Sequence, residues 1–532
     1  MNNGRHSPAA PGLLDRVRLH WRRLSSPWRR NYERGPFLPS DLLEKVRAHV
    51  RSVHETFGQH PPSEEDLTLA VYRAVEQAGS VDRLHDLAAS GRLAEVTGVR
   101  PFKLEMDLVN KCNLRCPMCM MSHPSHYRRP LQRMSLELFE RLAADIFWHV
   151  HALSLTLGAE PLLHPDFARF VEIASHYRIP QIYAVTNGVL LTDAVARAIV
   201  THGMHVLTVS IDAARSETYE QIRIAGDWDQ LMRNLRGFQR IKREVDSQTP
   251  QLELAFVMMR SNIAELPEFV DMAAELGANS VNAIHMVPFE GLGMASESCS
   301  LVRETTNEML RRARERAKER GLQFSGPPFF GESVARSPGA VGVDRFCLPV
   351  SQATRKAGHC PFPWHFAAID MLGNVVPCGW WHRQPAMGSI RSESFLSIWK
   401  NESYRCLRAE HECGALRPTC STCPAAGIGS VDGENSFWSD ERGHDASESH
   451  REHQRLAERG GLRYVPATDG ARRTGCRDVA VRVRSRRELG PRRSRLRRSR
   501  DHRSEGDQAI PPHRRDPGGE WLGQSRANGR SL

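Results

Sequence analysis

The sequence predicts an α/β fold built on a parallel sheet, because short apolar runs alternate with helical patterns. Six runs have the length and composition of buried strands, at residues 102–108, 152–157, 181–185, 206–211, 252–258 and 281–287. Helical patterns lie between them, for example at residues 136–149, 193–202 and 266–276, the last of which is stopped by Gly277. Strands that alternate with helices of this length form βαβ units, so we expect parallel strands.

Polar or glycine-containing segments follow these predicted strands. The second strand is followed by Gly158-Ala159-Glu160-Pro161 and the third by Asn187, while Ser210 and Asp212 stand at the end of the fourth. In parallel α/β folds the functional groups gather at the carboxyl ends of the strands. An ordinary turn or helix cap explains each of these residues taken alone equally well. Their order along the chain is what suggests a site.

Three cysteines lie directly after the first predicted strand. Cys112, Cys116 and Cys119 are separated by three and then by two residues. Thiolate is the soft ligand that iron–sulfur clusters and zinc select. Zinc sites usually consist of paired C-x-x-C units that fill all four corners, whereas a four-iron cluster held by three sulfurs leaves one iron open to an external molecule. The spacing therefore favours a reactive cluster over a zinc knuckle or three unrelated core thiols.

This cysteine spacing after a strand resembles the signature of the radical S-adenosylmethionine (SAM) superfamily. The resemblance implies a partial (β/α)6 TIM-like barrel, open on one side, with its chemistry at the carboxyl ends of the strands. It also implies a [4Fe-4S] cluster whose open iron is chelated by the amine and carboxylate of SAM. Relatives often have an aromatic residue before the third cysteine, where this chain has Met118. An apolar, polarizable side chain can still shield a cluster.

The same resemblance assigns cofactor contacts at the strand ends. Gly158-Ala159-Glu160-Pro161 looks like the GGEP loop of the family, which receives the SAM amine, with Ala159 in place of the second glycine. Asn187 matches a position that lines the cofactor. Ser210 and Asp212 match the position at the fourth strand that contacts the SAM ribose and carboxylate in relatives.

A second group of cysteines lies between residues 360 and 423. Cys360 precedes a predicted strand at residues 366–369, a turn at 370–374 and a second strand that ends at Cys378; a helix at 395–399 and the pair Cys420 and Cys423 follow. This order resembles the SPASM/twitch extension of radical SAM enzymes, which holds auxiliary clusters. Four well-spaced thiols imply one auxiliary [4Fe-4S] cluster, the twitch arrangement, although zinc accepts four cysteines equally well. Cys347 and Cys413 are alternative or additional ligands.

The resemblance implies a radical SAM oxidoreductase or epimerase that abstracts a hydrogen atom from a small molecule such as a sugar or an aminocyclitol, with oxidation favoured. Its electron donor would be a flavodoxin or a ferredoxin. Arg260, His285 and Glu290, at strand ends, are candidates for substrate contact or proton removal. Cys299 is the candidate hydrogen donor of an epimerase. The alternatives are a peptide or protein maturase, of the ribosomal-peptide or sulfatase-activating kind, and a non-enzymatic zinc protein.

Charge is concentrated at the C-terminal end of the chain. Residues 471–532 contain eighteen arginines, no lysine and seven acidic residues, which accounts for the whole formal net charge of +11. The rest of the chain is thus neutral, and a nucleic-acid partner is not expected. The arginine-rich segment predicts either a disordered tail for an anionic partner or out-of-frame translation.

The length of 532 residues suggests two or three domains. We expect a helical N-terminal extension at residues 1–100, the core domain at 101–300, linker helices at 301–345, the auxiliary domain at 346–440 and the tail at 441–532. An amphipathic segment at residues 13–24 is expected to pack on the body. Since the sequence contains no run of 18 apolar residues, no membrane span is expected. The clustered cysteines indicate a reducing, cytoplasmic environment.

Overall fold

One sheet of ten strands organises the computed structural model, which describes residues 38–57, 61–289, 291–331, 360–381 and 384–421. Some predicted features lie outside the described residues. These are the amphipathic segment at 13–24, the tail at 441–532, and the residues Glu290, Cys347 and Cys423.

The strands in chain order are β1 (Phe102–Met106), β2 (Val150–Ser154), β3 (Gln181–Thr186), β4 (Val206–Ser210), β5 (Gln251–Met258), β6 (Ser280–His285), β7 (Gln323–Ser325), β8 (Phe366–Ile369), β9 (Asn374–Val376) and β10 (Gly388–Ser389). Their spatial order is β10-β9-β8-β1-β2-β3-β4-β5-β6-β7. Strands β1 to β7 are parallel, β8 is parallel to β1, and β9 and β10 are antiparallel. The predicted α/β class with a parallel, open sheet is confirmed.

The helices are α1 (Ser40–Thr56), α2 (Glu64–Ala78), α3 (Val81–Ala89), α4 (Ala94–Thr97), α5 (Pro124–Tyr127), α6 (Leu136–Ile146), α7 (Phe167–His176), α8 (Asp193–Thr201), α9 (Ser216–Ile222), α10 (Trp228–Glu244), α11 (Leu266–Glu275), α12 (Arg303–Glu319), α13 (Phe362–His365), α14 (Phe395–Trp399), α15 (Glu402–Cys413) and α16 (Pro418–Ser421). Local sequence explains their ends. Thr192 caps α8 by accepting from the backbone N–H of Val195. Leu276 and then Gly277 follow α11, and Gly277 has a φ of +69°, an angle that glycine adopts without strain.

The main core lies between one face of the sheet and the helices that cover it. Along β1, Phe102, Leu104 and Met106 are buried in this core, whereas Lys103 and Glu105 alternate with them and face the opposite, concave side. The ring of Phe102 meets that of Trp399 from α14 edge to face, with centroids 4.8 Å apart. The C-terminal region therefore shares the core of the barrel.

The sheet extends beyond the six predicted strands at both edges. β8 pairs with β1 from Lys103↔Phe366 to Met106↔Ile369, so the predicted hairpin of the C-terminal region continues the barrel sheet. All four residues of β8 are buried, as expected of a strand covered on both faces. At the other edge β7 pairs with β6. Residues 301–345 were expected to form linker helices; their described part contains α12, which is followed by this short strand.

The N-terminal helices α1 to α4 form a helical extension with an apolar cluster of its own, which includes Leu42, Val46 and Leu84. α2 begins with a capping box, in which the Ser63 hydroxyl accepts from Asp66 N and the Asp66 carboxylate accepts from Ser63 N. Phe57, after α1, is buried in the main core against Phe102. None of the described helices combines the length and apolar character needed to span a bilayer.

Candidate active site

The three cysteines of the first motif lie in the loop that follows β1, within a small apolar cluster. Cys116 is buried in this cluster together with Leu114, Met118, Ile222, Met259 and Met286, and Cys112 and Cys119 pack against it while remaining partly exposed. Met118, which stands where relatives often have an aromatic residue, is 7% exposed. The three cysteine sulfurs therefore have largely apolar surroundings that are rich in polarizable methionine.

N–H groups point at all three sulfurs, and the one that faces Cys119 is the backbone N–H of Met121. The backbone N–H of Leu114 donates to Cys112 Sγ at 3.4 Å, and the side-chain Nδ2 of Asn187 donates to the same sulfur at 3.8 Å. Arg223 Nη1 donates to Cys116 Sγ at 3.7 Å. Burial raises the pKa of the Cys112 thiol to about 12, so the thiolate form needs the positive charge of a metal beside it. Soft donors, N–H groups aimed at sulfur and an apolar shield fit an iron–sulfur cluster.

Glu160 connects the loops that follow β2 and β3. Its carboxylate is 2% exposed and accepts hydrogen bonds from the Thr186 hydroxyl at 2.6 Å and from Asn187 N at 2.8 Å. Its own N–H donates to the carbonyl of Lys111 at 2.9 Å. The side chain of Asn187 in turn donates to Asn113 Oδ1 at 2.8 Å. The structure therefore brings Glu160 and Asn187 together with the loop that carries the first cysteine.

Asp107, directly after β1, holds the predicted GGEP-like loop. Its Oδ1 accepts hydrogen bonds from three consecutive backbone N–H groups, those of Leu157 at 3.0 Å, Gly158 at 2.9 Å and Ala159 at 3.1 Å. Sequence analysis did not single out this residue. The sequence feature that could have identified Asp107 is its position one residue beyond a buried strand.

Asp212 forms a buried ion pair. It is 0% exposed, and its Oδ2 lies 2.5 Å from Nη2 of Arg223, while its Oδ1 accepts from Val257 N at 2.8 Å. Arg223 follows α9, and sequence analysis missed it because an arginine at the end of a short helix carries no pattern. Ser210, by contrast, is half-buried at the end of β4. Arg223 therefore links Asp212 to the cysteine loop, because its Nη2 pairs with Asp212 and its Nη1 donates to Cys116 Sγ.

Three predicted catalytic candidates, Cys299, Arg260 and His285, lie in described residues. None of them belongs to the apolar cluster around the cysteines, although Arg260 follows Met259 and His285 precedes Met286, which are both members of it. Cys299 is 2% exposed in the main core, where its thiol hydrogen-bonds Thr306. Arg260 is exposed, and its N–H donates to the carbonyl of Glu297. His285 packs on Phe330, with ring centroids 5.1 Å apart. Burial lowers its pKa to about 4, so the imidazole is neutral at pH 7.

Three of the four predicted auxiliary ligands lie in described residues. Cys360 precedes α13, Cys378 follows β9 and Cys420 is in α16; all three are partly exposed, and Cys378 and Cys420 pack against the main core. The alternative ligand Cys413 ends α15 and is exposed. Across the described ranges, no three His, Cys, Asp or Glu side chains are close enough to hold a single metal ion.

The concave face of the sheet carries a polar group that sequence analysis did not identify. Lys103 Nζ lies 2.9 Å from Glu105 Oε1, and the same oxygen accepts from the Tyr183 hydroxyl at 3.0 Å. Lys103 and Glu105 are only 13% and 22% exposed. The alternation of polar and apolar residues in β1 was the signal that could have revealed them.

Comparison with known families and proteins matches both cysteine regions. Residues 106–273 match the radical SAM superfamily and residues 360–424 match the iron–sulfur cluster-binding SPASM domain. The AdoMet-dependent heme synthase of Methanosarcina barkeri is 25% identical over 327 residues, which cover 61% of this chain and 88% of that protein. Mycofactocin maturase MftC of Mycobacterium tuberculosis is 25% identical over 335 residues, 61% of this chain and 75% of that protein. Streptococcus suis SuiB bound to its precursor peptide SuiA has 13% identity and a TM-score of 0.47, covering 68% of this chain and 83% of that chain.

Proposed function

The chain belongs to the radical SAM superfamily and carries a C-terminal SPASM-type iron–sulfur domain, and on this basis we propose that it oxidises a polar substrate by hydrogen-atom abstraction from carbon. The observation that carries this proposal is the set of N–H donors aimed at the cysteine sulfurs, beside loops that Asp107 and Glu160 tie together. When bound, the reduced cluster and SAM supply a 5′-deoxyadenosyl radical, the species that removes the hydrogen.

Cys112, Cys116 and Cys119 are the proposed ligands of a cluster with one open iron. The donors on Asn187 and Arg223 stabilise the thiolate charge, and hydrogen bonds to ligand sulfurs are one of the factors that set the reduction potential of a cluster. The methionines of the surrounding apolar cluster limit the access of water.

The residues around the open side of this group suit the polar parts of SAM. We assign the loop Gly158-Ala159-Glu160-Pro161, together with Asn187 and Ser210, to cofactor binding. We assign Arg223 to the carboxylate of SAM, because its guanidinium is a planar cation of the kind that binds carboxylates in a bidentate manner. Asp212 acts through Arg223 in this proposal, because the 2.5 Å ion pair fixes the guanidinium. This replaces the direct cofactor contact that the sequence suggested for Asp212.

Cys360, Cys378, Cys420 and Cys423 are the proposed ligands of one auxiliary cluster. A cluster with all four irons bound by cysteine offers no open site to a substrate, so electron transfer is its available role. The pairing of β8 with β1 joins the auxiliary region to the strand that leads into the first cysteine motif, and Asp107 N donates to the carbonyl of Ile369 at 3.0 Å. Oxidation is therefore favoured over epimerisation.

The polar side chains on the concave face of the sheet support the proposed substrate class. Lys103, Glu105 and Tyr183 make this face polar and charged, which suits hydroxyl, amino or carboxylate groups better than an apolar ring system. A sugar, an aminocyclitol or a similar metabolite satisfies this condition. A flavodoxin or ferredoxin is the proposed electron donor, and the cytoplasm the proposed location.

Peptide maturation is the second candidate function. It is supported by the similarity to mycofactocin maturase MftC, which extends over 335 residues and 61% of this chain. A peptide also presents the polar groups that the concave face would accept.

The experiment begins with anaerobic reconstitution of the chain. We expect about eight irons per chain and formation of 5′-deoxyadenosine from SAM when a reductant is supplied. Replacing Cys112, Cys116 and Cys119 together by Ala should leave about four irons and no 5′-deoxyadenosine. Cys406→Ala, which removes an exposed cysteine on α15, is the matched control and should keep full iron and activity. Zinc in the first site, or SAM cleavage by the triple variant, would refute the proposal.

Deuterium-labelled substrates separate the two candidate functions. Transfer of deuterium into 5′-deoxyadenosine from a polyol or aminocyclitol would identify a small-molecule enzyme. Transfer from a peptide encoded beside the gene would identify a maturase.

A further inference from the structure

The hydrogen bonds of Asp107 fix the orientation of three consecutive peptide groups. The N–H groups of Leu157, Gly158 and Ala159 all point at one carboxylate oxygen. Because the N–H and C=O of one peptide point in opposite directions, the carbonyls of Thr156, Leu157 and Gly158 face away from Asp107. The Thr156 carbonyl accepts from the Ser154 hydroxyl at 2.6 Å. Among the described residues, no hydrogen bond is made to the other two carbonyl oxygens.

The space beside Gly158 is open. A Cβ built on this residue would meet no atom within 4 Å, and its φ is not in the left-handed region. Neither backbone strain nor internal packing therefore requires a glycine here. An external group therefore has room to approach the backbone closely at this residue.

From these two observations we propose that Asp107 is a positioning residue, which holds the carbonyls of Leu157 and Gly158 in place to receive the ammonium group of SAM. The inference rests on the proposed function, since it assumes that SAM binds at this loop. A backbone carbonyl oxygen is a suitable acceptor for an ammonium donor, and both of these carbonyls point away from Asp107. The carboxylate behind the loop makes its own N–H bonds charge-assisted and therefore strong.

The test compares Asp107→Ala and Asp107→Asn with the wild-type holoenzyme, reconstituted anaerobically. Asp107→Ala removes all three acceptor contacts, so the Kd for SAM should rise about tenfold. Asp107→Asn keeps an acceptor oxygen but loses the charge, so a rise of about threefold is expected. The KM for SAM should follow the Kd, with a smaller change in kcat. Asp66→Ala is the matched control, since it also removes a carboxylate that accepts a backbone N–H, but in the N-terminal extension.

A second ligand distinguishes positioning from general damage to the loop. 5′-Methylthioadenosine carries the nucleoside of SAM but no ammonium group. Its affinity should be the same in wild type and in both Asp107 variants. Equal weakening of both ligands, loss of iron in both variants, or unchanged SAM affinity in Asp107→Ala would each overturn the inference. If wild type itself fails to bind or cleave SAM, both the proposed function and the inference fail. If wild type binds and cleaves SAM and the Asp107 variants do so equally well, the inference alone fails.

Discussion

Replacing Arg223 by Met should destabilise the protein by about 3–5 kcal/mol, because it leaves a buried carboxylate without its partner. The magnitude follows from the burial of Asp212, which is 0% exposed and lies 2.5 Å from the guanidinium. Neutralising the carboxylate as well, in Arg223→Met/Asp212→Asn, should restore most of the lost stability. The Asn Oδ1 can still accept from Val257 N, as the carboxylate does now.

The assay is anaerobic thermal unfolding of the holoenzyme, together with its iron content and its rate of 5′-deoxyadenosine formation. The double variant should approach the thermal midpoint of wild type but should not recover SAM cleavage, since the proposed contact of Arg223 with the cofactor is still missing. The reasoning is refuted if Arg223→Met alone unfolds at the wild-type temperature, or if the double variant is no more stable than the single one.

Three further predictions concern other parts of the chain. Replacing Cys420 and Cys423 by Ala should preserve formation of 5′-deoxyadenosine but stop net substrate oxidation; product analysis that still finds the oxidised product would contradict an electron-transfer role. Burial lowers the pKa of His149 from 6.5 to about 4, so the folded protein favours the neutral imidazole. The free energy of unfolding should therefore be highest above pH 6.5 and should fall by up to about 3 kcal/mol as the pH drops towards 4. Thermal midpoints measured against pH in wild type and His149→Phe check this, and an unchanged pH profile in the variant would count against it. Gly373→Ala should destabilise the β8–β9 turn by about 1–3 kcal/mol, since φ is +84° and a Cβ would lie 2.9 Å from Ile390; an unchanged unfolding midpoint would contradict it.

Local patterns in the sequence were sufficient to predict six strands of the sheet and the position of the first cysteine motif after the first of them. The apolar runs predicted β1 to β6, and the cysteine spacing placed the motif after β1, because both signals depend only on neighbouring residues. The predicted ends were less accurate. Leu108 and Leu155 extend the apolar runs and are buried in the main core, yet they lie just outside β1 and β2. Burial continues beyond the hydrogen-bonded ladder, so hydrophobicity alone overestimates the length of a strand.

Long-range contacts could not be predicted from one sequence. The pairing of β8 with β1 joins segments that are far apart in the chain, and no local pattern specifies which strand becomes the neighbour. The contacts of Arg223 and Asp107 depend in the same way on loops brought together by the sheet. Sequence analysis therefore identified the residues of the motif but missed those that orient it.

The surroundings of the segment after Cys378 support the proposed oxidation over epimerisation. Trp380 stacks on Phe289, with ring centroids 6.3 Å apart, and a Cβ on Gly379 would lie 3.7 Å from the side chain of Leu157. Phe289 follows β6 and Leu157 directly precedes the loop assigned to SAM, so the auxiliary region lies beside the carboxyl ends of β2 and β6. Cys299, in contrast, is enclosed in the main core. A substrate radical at this position would be close to the chain segment that starts at a proposed cluster ligand, whereas a hydrogen atom from Cys299 would have to leave a buried thiol. These contacts therefore support the proposed electron transfer to the auxiliary cluster over hydrogen donation from Cys299.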